Sequence, residues 1–113
     1  SATEATGTTV ITCAAHVFDG SPVCAHFYSG QIAPDTGDFI VVNLFESTTQ
    51  IGRLGIVQGT VATGLSAWLR FTPTAASHTY VVTAFRGSVN GTILAGAGGT
   101  GALVPSFIRF TKV

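Results

Sequence analysis

Apolar and polar residues alternate along this chain with a period near two. The closing stretch, Phe107 to Val113, shows it most plainly: Phe107, Arg109 and Thr111 fall on one face, Ile108, Phe110 and Lys112 on the other. The alternating stretches are short and rich in Thr, Val, Ile and Phe, whose branched or aromatic side chains suit a pleated surface. Gly, Pro, Asp and Asn separate them, and these are turn formers. The pattern predicts about eight strands, over residues 8–18, 23–32, 38–46, 50–58, 66–72, 78–87, 91–97 and 104–112. Asp19-Gly20 and Asn90-Gly91 tolerate positive φ and are expected to form hairpin turns. Asp35-Thr36-Gly37-Asp38 reads as another turn, and the glycine-rich 96–101 as a flexible loop. The expected fold class is all-β: an antiparallel β-sandwich, jelly-roll-like. Residues 1–113 are expected to form a single domain, with 1–7 as a flexible arm.

Two stretches depart from strict alternation. Phe39, Val41 and Phe45 share one face of their strand, yet the other face, with Ile40, Val42 and Leu44, is equally apolar. Val81 and Phe85 likewise lie opposite Tyr80, Val82 and Ala84. A strand apolar on both sides must be covered on both sides. The expected cover is a neighbouring subunit, which makes Phe39, Val41 and Phe45 candidate interface residues. A long loop is the alternative cover. On the last strand, Ile108 and Phe110 are expected to seal the core, and Arg109 to point toward a neighbour or solvent.

Charge strengthens the expectation of an assembly. Five basic and five acidic residues make up 9% of 113 residues, against roughly 25% in an average domain. A small domain has much surface to cover, and a shortage of charge suggests that other protein covers part of it. The net charge of zero provides no footprint for nucleic acid or an anionic membrane. No apolar run approaches the ~18 residues of a spanning helix, so membrane insertion is not expected.

Catalytic chemistry finds little foothold. No G-x-S-x-G elbow occurs, and Asp35 and Asp38 share a turn, as turn aspartates commonly do. His16, His26 and His78 lack close ligand spacing such as H-x-H. A single His near a three-fold axis could still form a ring. The chain is therefore expected to be no enzyme and to hold no metal or cofactor. With Gly20-Ser21 as a two-residue turn, Cys13 would face Tyr28 and Cys24 would face Val17, too far apart to bond. Two free thiols are expected, a disulfide being the alternative. Asn90-Gly91-Thr92 matches a glycosylation sequon, and the hairpin accounts for it better. Trp68, the only tryptophan, sits among apolar neighbours, which favours core or interface. As a sugar-stacking platform it would have only Tyr28 and Tyr80 for company.

The second half carries a recognisable pattern. It reads P-T-A-A-S-H-T-Y-V-V-T-A-F-R from Pro73, then an Asn-Gly turn, I-L-A-G-A-G, and V-P-S-F-I-R-F-T-K-V at the end. This resembles the C-terminal jelly-roll domains of tailed-bacteriophage virion proteins, especially those of actinobacterial hosts. There a P-x-A-G-S-H-T-Y entry precedes a G-T-x-x-A-G hairpin and a closing x-I-R-V-x-K-V strand. Ala76 stands where Gly is common. The earlier G-D-F-I-V-V-N-L-F-E and Q-I-G-R-L-G also look like strands of such domains. The resemblance implies a homotrimer at the surface of a phage particle: a capsid decoration protein, or a tail-fibre or head-fibre tip. Its partners would be other capsid or tail proteins, met through protein–protein contacts. The alternative is a receptor-binding knob that recognises a host cell-surface glycan, three weak sites acting together.

Overall fold

The strand-forming stretches assemble as two antiparallel sheets packed face to face. The structure is a computed structural model that describes residues 7–34, 39–58, 63–86, 91–93 and 106–113. Its strands are β1 (Thr8–Thr12), β2 (His16–Val17), β3 (Val23–Pro34), β4 (Phe39–Glu46), β5 (Thr49–Gln58), β6 (Thr63–Phe71), β7 (Ser77–His78), β8 (Tyr80–Arg86), β9 (Gly91–Ile93) and β10 (Phe107–Lys112). The first sheet has the order β1-β8-β4-β5. The second has the order β10-β3-β6, and β9 continues along β3 beyond β10. The minimal ladder β2-β7 sets His16 opposite His78. The all-β antiparallel sandwich that the sequence pattern predicts is the fold that forms.

Its core comes from the inward positions of the alternating strands. Ala25 and Phe27 of β3, Ile40, Val42 and Leu44 of β4, and Tyr80 and Val82 of β8 are all buried there. Leu54 and Val57 of β5 and Ala67 of β6 extend it. Along one side the sheets approach closely because β5 carries glycines. A Cβ at Gly52 would lie 3.2 Å from Leu69, and one at Gly55 3.0 Å from Leu65. At one end Phe110 packs edge-on to Phe18 and Phe71 and tilted against Tyr80, with ring centroids 5.0–6.2 Å away.

The expected first hairpin does not form. β1 pairs with β8, and β3 pairs with β10 and β6, in the opposite sheet. Backbone bonds from Cys13 to Tyr80 and from Phe18 to Ala76 keep the chain beside β7 and β8 as far as Phe18. Asp19 and Gly20 do make a turn: the Asp19 carboxylate accepts from the Ser21 amide at 2.9 Å, and Gly20 has φ 87°. That turn carries the chain across to the second sheet instead of reversing it within one. β9 pairs with β3, in the second sheet, whereas β8 lies in the first. Residues 1–6 of the expected arm, Asn90, the turn at 35–38 and the loop at 96–101 lie outside the described residues.

The expected subunit interface also needs correction. Val41 is 1% exposed and Phe45 6%, within a single chain. Because β4 is an interior strand, its outward side chains are flanked by those of β8 and β5: Phe85 and Ile56 beside Val41, Val81 and Gln50 beside Phe45. Only Phe39 stays half-buried, edge-on to Phe85. The shortage of charge has a local account as well. Exposed positions such as Thr9, Thr12, Gln50, Gln58, Thr63 and Thr72 cover the surface with uncharged polar groups.

Candidate functional site

The outer face of the second sheet gathers aromatic and cationic side chains in a three-by-three array. Residues opposite one another across an antiparallel pair share a face. The registers therefore align Thr111, Cys24 and Arg70 in one row, Arg109, His26 and Trp68 in the next, and Phe107, Tyr28 and Ser66 in the third. Strand alternation alone explains the selection, since Phe27, Ala25, Ala67 and Leu69 point the other way, into the core.

The middle row is tightly organised. The His26 and Trp68 rings stack with centroids 3.8 Å apart and planes within 4°. His26 Nε2 lies 2.9 Å from Ser66 Oγ, and its Nδ1 lies 3.3 Å from Arg109 Nη2. A guanidinium only donates, so Nδ1 accepts and the proton sits on Nε2, which donates to Ser66. Arg109 also lies over the Phe107 ring at 5.6 Å. Phe107 in turn stacks on Tyr28 at 5.7 Å and meets His26 edge-on. These contacts fix His26, only 9% exposed, beneath its neighbours. Trp68 remains 62% exposed, and β6 is the last strand of its sheet. One indole face covers His26, and the other looks out over the sheet edge. Arg70 and Arg109 are both exposed.

Of the residues that the sequence singled out, Trp68, Tyr28 and Arg109 meet on this face. Tyr80 does not. It is 1% exposed, and its hydroxyl donates to Glu46 at 2.7 Å, so it is a core residue and no platform. Burial, then the hydrogen bond to the Glu46 carboxylate, pushes its phenol well above the usual range. His26, Phe107, Ser66 and Arg70 were not singled out as parts of one site. The period-two pattern puts Ser66, Trp68 and Arg70 on one face, but only the sheet order brings His26 and Phe107 beside them.

Cys13 and Cys24 are unpaired, as expected, although for another reason: Cys13 follows β1 and bonds to β8 beside the first sheet, whereas Cys24 lies on β3 of the second. Burial raises the Cys13 thiol above its usual range and makes it a poor nucleophile. His78 places Nε2 2.9 Å from the Thr74 carbonyl and Nδ1 3.4 Å from Glu46. His16 packs edge-on to Phe18, which also touches His78. A groove of about 280 Å³ runs beside Phe18 and Phe110, bordered by the Asp19–Lys112 ion pair. That partner holds the Asp19 carboxyl well below its usual range. Among the described residues, no group of three or more His, Cys, Asp or Glu side chains is placed to hold a metal ion.

No protein-family model matches this chain, and neither a curated protein nor a solved structure matches it.

Proposed function

We propose that this protein is a non-enzymatic structural module that works through protein–protein contacts, with the outer face of β10, β3 and β6 as its docking surface. The Arg109–His26–Trp68 row is the observation that carries this reading. Interfaces draw most of their affinity from Trp, Tyr and Arg anchors held rigid before binding. Here an exposed indole is fixed by a stacked imidazole, which is itself fixed by Ser66 and Arg109. A flat sheet face also suits a protein partner better than a small ligand, which favours a concave site. In keeping with the resemblance of its second half, the module belongs to a tailed-phage virion. It is a homotrimer at the particle surface, either a capsid decoration or a fibre or tail tip. The test is electron microscopy of the intact particle. The Trp68 face should lie against a neighbouring protein; if it faces bulk solvent, the docking role is wrong.

A second reading has one observation in its favour, the free outer face of the Trp68 indole. An aromatic plane flanked by Arg70 and Ser66 is what a host cell-surface glycan would use. Binding to a glycan array that is lost in Trp68→Ala would support it.

A further inference from the structure

Arg70 and Arg109 flank the exposed indole, and no carboxylate among the described residues lies between them. Arg109 stands on β10 and Arg70 on β6, so β3 separates them. They stand one row apart along the strands, so with strands ~4.8 Å apart and ~3.3 Å per residue their backbone positions are roughly 12 Å from each other across the face. Among the described residues, Arg109 meets His26 and the Phe107 ring. Among the described residues, the two carboxylates are occupied elsewhere: Asp19 by Lys112, and Glu46 by Tyr80 and His78. None of the nine positions of the array is acidic. In a chain of zero net charge, this face is a local cationic surface built around aromatic rings.

Resting on the docking face proposed above, we infer that its partner is an acidic protein segment, with carboxylates that engage Arg70 and Arg109 and an apolar or aromatic side chain that packs on Trp68. The planar guanidinium forks match carboxylates in two-point contact. Both arginines border aromatic surface that a partner would cover, and excluding water strengthens such pairs. A neutral or basic partner would leave both guanidiniums desolvated and unpaired, which is costly.

The test is selection of a random peptide library on the full-length protein, followed by affinity measurements with the enriched peptides. Enriched sequences should carry Asp or Glu beside an aromatic or aliphatic residue. Binding should weaken roughly tenfold in Arg70→Gln and in Arg109→Gln, fall in Trp68→Ala, and fall with added salt. Arg70→Glu should shift the enriched sequences toward Lys and Arg. All four substitutions are at exposed positions, and thermal melts check that the variants stay folded. Peptides that need Trp68 but ignore both arginines would overturn the acidic partner and leave the docking face standing. Peptides indifferent to Trp68 as well, or no enrichment at all, would overturn both. Binding to sialylated or uronic-acid glycans on an array, with no acidic peptide bound, would replace the protein segment by an acidic carbohydrate.

Discussion

Tyr80 joins the core to the rim of the sandwich. Its ring packs against Phe18, Phe71 and Phe110, and its hydroxyl reaches Glu46. Burial first, then the carboxylate, raises its phenol above the ordinary ~10. A group whose folded value is raised stabilises the fold fully below its unfolded value. That contribution is lost as pH climbs toward the folded value. In a Tyr28→Phe variant, which leaves Tyr80 as the sole phenol, phenolate absorbance should therefore appear together with loss of the β-sheet circular dichroism. Phenolate formed in an intact sheet would contradict the geometry. Thr83 poses the converse case. Its hydroxyl and the Asn43 amide nitrogen, on adjacent strands, are buried without a partner among the described residues. A desolvated, unpaired hydroxyl contributes nothing to offset its loss of water. Thr83→Val keeps the branched shape and removes the hydroxyl, so its melting point should stay level or rise, by up to about 1 kcal/mol in stability. A loss of more than that would mean the hydroxyl has a partner.

Strands show what an alternating pattern can and cannot reveal. β10 was legible: Ile108 and Phe110 pack on the core, and Arg109 is exposed on the other face. Both apolar residues are only half-buried because β10 ends its sheet. Phe110→Ala should thus fall near the lower end of the ~3–5 kcal/mol usual for such a truncation. Arg109→Ala, at an exposed site, should stay within about 0.5 kcal/mol. Thermal melts of the pair check the assignment, and the reverse order would turn the strand over. The first hairpin was not legible. Period two tells which face a residue occupies but not which strand lies beside it, and Asp19-Gly20 turns equally well within a sheet or between sheets. The β4–β5 hairpin was missed as a turn because its loop, Ser47-Thr48, lacks glycine. Ser47 adopts φ 52° there, a left-handed conformation that a Cβ disfavours. Ser47→Gly should stabilise the fold by up to about 1 kcal/mol in chemical denaturation, since relief of that strain outweighs the added entropy of the unfolded chain. A net loss would mean that the serine side chain holds the turn.

For the whole molecule, charge and double-sided strands both suggested assembly, and the fold reassigns their meaning. Val41 and Phe45 are covered by their own chain, and threonines and glutamines take the place of charges on much of the surface. Neither observation then demands a partner. The proposed trimer must rest on apolar surface that remains open. Ile56, 54% exposed, lies opposite Val41 on the outer face of the first sheet, where Phe39 and Phe85 are half-buried. Apolar area contributes roughly 25 cal/mol per Å² when it leaves water, so these three side chains are the natural contact between copies. Such an interface would leave the Trp68 face, on the opposite sheet, free for another partner. Sedimentation equilibrium at micromolar concentration should find a trimer for the parent chain and for Trp68→Ala. Ile56→Asp should give a folded monomer, because a carboxylate buried in an apolar contact without a partner costs more than the contact returns. A monomeric parent would remove the trimer from the proposal. Dissociation in Trp68→Ala but not in Ile56→Asp would instead make the aromatic face the contact between copies, and the acidic segment would lose its site.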